Sequence, residues 1–246
     1  MSPAVATPPT PSLDKDPRRI AGMFDAIAHR YDRLNRLLSA GFDRRWRRRA
    51  VAALELPPEA AVLDVCTGTA DLAMTAARYV PAPRSVVGVD FAGAMLGLGQ
   101  RKLTATGLSR QVRLVRGDAC RLPCRASAVD AVTIGFGIRN VADTAAALRE
   151  MCRVLKPGGR LAILEFGEPQ LPGLRALYLW YFRRVLPAVG RRLSRHAEAY
   201  AYLPASVSAF LTPAELVGLL EASGFATVAV DRLTLGVVYL YVARKA

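Results

Sequence analysis

The sequence predicts an α/β fold, a parallel, doubly wound sheet that closes with an antiparallel hairpin. Three observations predict it. Short apolar runs alternate with stretches of helical periodicity from Ala60 to Phe166, the rhythm of repeated β-α units. The run VDAVTIGF is nearly all apolar, as a strand buried on both faces of a parallel sheet must be. The last two apolar runs, Phe225 to Asp231 and Leu235 to Val242, are too close in sequence for a crossover helix, so they pair antiparallel.

The elements follow in order. Residues 1–17 hold Pro3, Pro8, Pro9, Pro11 and Pro17 among small residues and read as a disordered tail. Residues 18–246 then read as one domain. Ile20, Met23, Phe24 and Ile27 share a helical face near its start. Ala60 to Cys66 is a strand and Asp71 to Tyr79 a helix; Ser85 to Asp90 is the second strand and Gly93 to Thr106 the second helix. Gln111 to Gly117 and Asp130 to Gly135 are strands, followed by a helix with Leu148, Met151, Cys152 and Leu155 on one face, then a strand from Gly159 to Phe166. The rhythm breaks over about 170–210, an inserted helical segment rich in Leu, Tyr, Trp and Arg. Thr212-Pro213-Ala214-Glu215 is a capping box with Pro at the first helical position, and Gly224 is a suitable stop. Five parallel units followed by an antiparallel hairpin resemble the class I S-adenosylmethionine-dependent methyltransferase fold, which is Rossmann-like.

Composition narrows the class. A hydrophobic content of 52% supplies a sizeable core, yet no stretch reaches the roughly 18 unbroken apolar residues of a membrane span. Without a basic-then-apolar leader the chain is expected in the cytosol. Cys66, Cys120, Cys124 and Cys152 form no C-x-x-C pair and fit reduced core thiols better than zinc ligands; no metal is called for. Thirty of the 34 basic residues are Arg, and the net charge is +14. The arginines cluster as Arg44, Arg45, Arg47, Arg48 and Arg49 around Trp46, and as Arg183, Arg184, Arg191, Arg192 and Arg195. Such clusters suit a polyanion or an anionic membrane leaflet, and equally a solvated face.

The strand ends carry the chemistry. Val62 to Ala73 reads VLDVCTGTADLA, an acidic strand end, Asp64, before a turn with Gly68. Backbone amides at such a turn can meet a small ligand at a helix N-terminus. Cys66, Gly68 and Ala70 stand where this fold shows three alternating glycines, a departure that disfavours the pyrophosphate of NAD. Asp90, ending the second strand, can accept both ribose hydroxyls of a nucleoside, whereas Asp118 can accept from an adenine amino group beside the amide of Ala119. Each of these acids could also be a helix cap or a turn residue. The fourth strand runs into Gly135-Phe136-Gly137-Ile138-Arg139-Asn140, two glycines that leave space for a ligand, then a fixed cation and an amide suited to an oxygen that becomes negative.

The sequence resembles the ubiquinone/menaquinone biosynthesis C-methyltransferase family. The resemblance rests on Tyr31-Asp32-Arg33-Leu34-Asn35 through Ser39 to Trp46, where Leu34 replaces a Met and Asp43 a His, and on Arg153 to Leu161 with Glu165-Phe166. Gly167 stands where a Ser is usual, and the run Tyr200 to Ser206 completes the set. The resemblance implies S-adenosylmethionine as cofactor, held by Thr69, Asp90, Asp118, Ala119 and Gly135, the last without the family's Ser hydroxyl. It implies methyl transfer to a ring carbon of a polyprenylated quinol, demethylmenaquinol before a benzoquinol of ubiquinone synthesis. Arg139 then stabilises the oxyanion and Asn140 orients the ring oxygen. A base is harder to name: a water on Arg139, or Tyr31, Tyr200 or Tyr202, which are also candidate substrate contacts; His29 and His196 lie outside the motifs. Leu171, Leu174, Leu177, Tyr178, Trp180 and Tyr181 suit either a lipid interface on the inner face of the membrane or a lid core. A secondary-metabolite C-methyltransferase is the neighbouring alternative. A homodimer is allowed for. A nucleic-acid methyltransferase would want an N-P-P-[YF] motif or a catalytic cysteine after strand four, and GFGIRN is neither.

Overall fold

The computed structural model describes residues 15–180, 184 and 197–246 of the chain. Tyr181, Arg183, Arg191, Arg192, Arg195 and His196 lie outside the described residues, as does the expected tail up to residue 14. The end of that tail already enters a helix. Asp16 Oδ1 accepts from the amides of Arg18 and Arg19 at 2.9 and 3.0 Å, a capping arrangement that starts α1 (Pro17–Leu38).

Seven strands form one sheet in the order β3-β2-β1-β4-β5-β7-β6. Here β1 is Ala61–Val65, β2 Ser85–Asp90, β3 Val112–Arg116, β4 Val129–Gly135, β5 Leu155–Phe166, β6 Phe225–Leu233 and β7 Val238–Lys245. The first five pair in parallel, and β7 runs antiparallel between β5 and β6. The short 234–237 connection imposes this, since it leaves no length for a crossover.

Successive residues of the central strands serve two cores, as a period of two requires. Leu63, Val132, Leu161 and Ile163 pack on α5 (Thr144–Val154) and α8 (Pro213–Ala222). Val62, Ala131, Ala162 and Leu164 pack on α2 (Asp43–Ala53), α3 (Asp71–Ala77) and α4 (Gly93–Ala105). The sheet is therefore the middle of three layers, and its carboxyl edge is the natural place for a ligand. Helices α6 (Pro172–Trp180) and α7 (Ala197–Ser208) cover that edge beyond β5.

Most expected boundaries hold to within a few residues, but Leu235, expected to open the last strand, lies in a 3-10 turn, so that β7 begins at Val238. Leu155, expected on the helix after β4, instead opens β5 and pairs with Val129. The capping box is formed in full, and Gly224 ends α8 at φ +100°. Among the described residues no single helix is long and apolar enough to cross a membrane.

Candidate functional site

The turn after β1 keeps the backbone of a triple-glycine loop with one glycine. Cys66, Gly68 and Ala70 have φ of +52°, +55° and +66°. A side chain in that region costs about 1–2 kcal/mol, so the two substituted positions are strained and the surroundings must hold them. Asp64 does so from below, 1% exposed. It accepts from Thr67 Oγ1 and Thr133 Oγ1, each at 2.6 Å, and from the Ala73 amide at 3.1 Å. All these donors are neutral, and burial pushes its carboxyl up to about 6. Asp64 thus supports the turn and caps α3 instead of reaching a ligand.

Asp90 closes the turn from the side, accepting from the amides of Gly68 and Ala92 at 2.8 and 2.9 Å. Burial pushes its carboxyl up as well. A carboxylate has about four acceptor positions, and with Phe91 also donating from its backbone one remains for a hydroxyl donor. Asp90 lines a cavity with Cys66, Gly68, Phe91, Gly135 and Asn140. A side chain on Gly68 would meet open space, whereas one on Gly137 would collide with Cys66 Cβ and one on Gly135 would come within 3.1 Å of Leu72. Gly135 and Gly137 both line the cavity, and they also make room for Leu72 and Cys66.

This cavity is narrow, about 50 Å³, and Phe24 of α1 forms one wall. Ligand sites run to several hundred cubic ångströms. Asp25 of α1 accepts from the Ala94 amide at 2.9 Å, and Phe24 packs beside Ala92 and Met95. Drawing α1 back would open the cavity over Asp90. A carboxylate with a free acceptor site, an open glycine turn and the apolar wall of Phe91 and Met95 fit the ribose and base of an adenosyl group.

Three of the expected cofactor contacts point elsewhere. Thr69 Oγ1 donates to Asp32 at 2.6 Å and faces Lys102, because the strained turn directs it outward. Asp118 is exposed and accepts from the Cys120 amide at 2.9 Å, while Ala119 packs into the core. Neither lines the cavity around Asp90.

The opposite wall comes from the end of β4 and the turn after it, Gly135 to Gly137 with Asn140 and Val141. Phe136, at φ +59°, is a bulky residue in the left-handed region, a clear departure from ordinary backbone. The bend aims its carbonyl at Arg139 Nη1, 2.5 Å away, and tilts its ring onto Phe166 with centroids 4.6 Å apart. Arg139 is 5% exposed, with its guanidinium carbon 5.6 Å from the Phe166 ring centre. Its Nη1 donates to Glu165 Oε1 at 2.8 Å, and its Nε to Ser206 Oγ at 3.4 Å. Glu165 is 1% exposed and also accepts from the Phe166 amide at 2.8 Å. The sequence reading gave Glu165 no role, although an acid ending the apolar run LAILEF repeats the pattern that singled out Asp90.

Asn140 lines the cavity and accepts from the Tyr202 hydroxyl at 3.1 Å. Burial pushes the Tyr202 hydroxyl up, and its proton points to Asn140 in this structure. Tyr31 and Tyr200 lie on α1 and α7, and their side chains are outside the described ones. His29 is exposed on α1. Asp43, where the family has His, is buried and accepts from Ser39 and Arg47. Burial pushes its carboxyl up, but Arg47 outweighs this and holds it below the usual range.

Residues 13–245 match the ubiE/COQ5 methyltransferase family. The chain belongs to that family. A demethylmenaquinone methyltransferase of Thermus thermophilus is 50% identical over 224 residues, 91% of this chain and 100% of that one. A ubiquinone/menaquinone biosynthesis C-methyltransferase of Geotalea daltonii is 41% identical over 233 residues, 95% of this chain and 99% of that one. Among solved structures, an S-adenosylmethionine-dependent methyltransferase of Thermotoga maritima superposes with a TM-score of 0.63 at 19% identity, covering 92% of this chain and 100% of that one. That likeness shows the fold alone. This family member is an S-adenosylmethionine-dependent methyltransferase of the class I fold, as the sequence predicted.

Proposed function

We propose that the chain transfers a methyl group to a ring carbon of a polyprenylated quinol, demethylmenaquinol first and a benzoquinol of ubiquinone synthesis second. The 50% identity to the Thermus enzyme supports the first choice. The observation that carries the chemistry is the buried Arg139–Glu165 pair, with Arg139 one residue before Asn140, which lines the cavity at Asp90.

S-adenosylmethionine, when bound, supplies an electrophilic methyl group on a sulfonium. Asp90 and the Gly68 turn would hold its ribose. An aromatic carbon attacks only when a neighbouring oxygen gives up electron density, so the residues facing the ring must favour an oxyanion. Arg139 stays charged at any working pH. Among the described residues its Nη2 makes no hydrogen bond, which leaves that nitrogen for the substrate oxygen. Glu165 is a positioning residue: it fixes the guanidinium and balances its charge when the site is dry. Because Asn140 Oδ1 accepts from Tyr202, its amide nitrogen is the end free to donate toward the ring. Holding both partners in line supplies the rest.

The prenyl tail places the substrate in a bilayer, and the chain acts peripherally on its inner face. Leu171, Leu177 and Trp180, each 58–59% exposed on and beside α6, supply an apolar contact for it. Quinone profiling of a strain lacking the gene tests the proposal. Accumulation of a quinone one methyl group short is expected, and an unchanged profile would overturn it.

A further inference from the structure

A groove of about 890 Å³ opens between α1, α2 and α3, away from the residues just described. Six cations line it, Arg36, Arg44, Arg47, Arg48, Arg78 and Lys102, against two carboxylates, Asp32 and Asp71. Both carboxylates are already engaged. Lys102 bridges Asp32 and Asp71, and Arg47 pairs with Asp71 and with Asp43. These two cations form a neutralised floor with side chains 26% and 11% exposed. Arg36, Arg44, Arg48 and Arg78 are exposed above it, and none makes an ion pair among the described residues. Four guanidinium groups thus face one concave space with no anion assigned to them. Val80, 85% exposed, forms part of the same lining, and Phe42, 45% exposed, precedes Arg44 at the start of α2.

We infer that this groove binds the phosphate headgroups of anionic lipid. Planar guanidinium forks match phosphate oxygens two at a time. Several forks in one recess neutralise more than one headgroup, while Val80 meets the apolar boundary beneath. A nucleic-acid groove would instead interleave stacking rings with its cations, and only Tyr79 is aromatic in this lining. The choice of lipid over a free phosphate rests on the membrane-drawn substrate proposed above.

The test is sedimentation of the full chain with phosphatidylcholine vesicles, with and without phosphatidylglycerol. The wild type is compared with the triple variant Arg44→Gln/Arg48→Gln/Arg78→Gln. A second triple, Arg101→Gln/Arg110→Gln/Arg125→Gln, removes the same charge from exposed positions outside the groove. Thermal unfolding confirms that all three fold. We expect the groove triple to lose on the order of 100-fold in binding to anionic vesicles and the control triple only a few-fold. Equal losses in the two triples would reduce the effect to net charge and overturn the site. Overturning would also follow if glycerol 3-phosphate at low millimolar concentration displaced the wild type, or if the groove triple lost RNA binding while holding its vesicle binding. Methyl transfer to a short-chain, water-soluble quinol is measured alongside and should be equal in all three proteins. Its failure in the wild type would tell against the quinol reading and not against the groove.

Discussion

Two sides of the sheet's one carboxyl edge bury acids in opposite ways. After β1 and β2, Asp64 and Asp90 are held by hydroxyls and backbone amides, all neutral, so burial raises both. After β5, Glu165 faces the full charge of Arg139. The β1–β2 side, proposed above as the cofactor edge, is thus a strained but charge-poor cradle, shaped by left-handed residues at 66, 68 and 70. The β5 side, proposed above as the substrate edge, is a buried charge pair, where each member depends on the other. The two sides should therefore fail differently.

The largest effect is expected from Glu165→Gln. It leaves the Arg139 guanidinium buried without its counter-charge, which costs about 3–5 kcal/mol of stability. Denaturant unfolding measures it, and a loss below about 1 kcal/mol would mean that water compensates Arg139 and the two sides do not differ. Next is Arg139→Lys, which keeps the charge and loses the planar fork. Turnover should fall on the order of 10²-fold or more while cofactor affinity by calorimetry stays nearly unchanged. A matching fall in cofactor affinity would erase the division between the two sides.

The cofactor edge is tested by pH. The folded value of Asp64, about 6, lies above its ordinary 3.8. Its proton therefore contributes stability that is fully present below about pH 4 and lost as pH rises through about 6. Relative to Asp64→Asn, the wild type should lose of order 3 kcal/mol between pH 4 and pH 7. Parallel stability curves for the two proteins would show that Asp64 is not desolvated. The smallest effect is expected from Gly68→Ala, where the added methyl meets open space and only its φ of +55° is penalised. A cost of about 1–2 kcal/mol should appear in the melting temperature.

The same contrast explains what could be read from the chain. Strands and hairpin were legible because burial on one or both faces imposes its period directly, and Ser85–Asp90 was placed to the residue. Asp90 was legible because its position at a strand end brings it to the carboxyl edge. Thr69, Asp118 and Ala119 share that edge but not the cavity around Asp90, since spacing along a strand does not fix which way a loop side chain turns. Glu165 went without a role because its partner is 26 residues away, and only the pairing of β4 with β5 brings the two together. Asp43 was visible as a departure, whereas its bond to Arg47 needed the helix.

The central claim is that the Arg139 edge acts on an electron-rich ring. It is tested most directly by methyl transfer from labelled S-adenosylmethionine to a demethylmenaquinone analogue, with and without dithionite, the product read by mass. A product one methyl group heavier at the ring carbon is expected only when the substrate is reduced, with its near loss in Arg139→Lys. Equal rates on the oxidised quinone would contradict it.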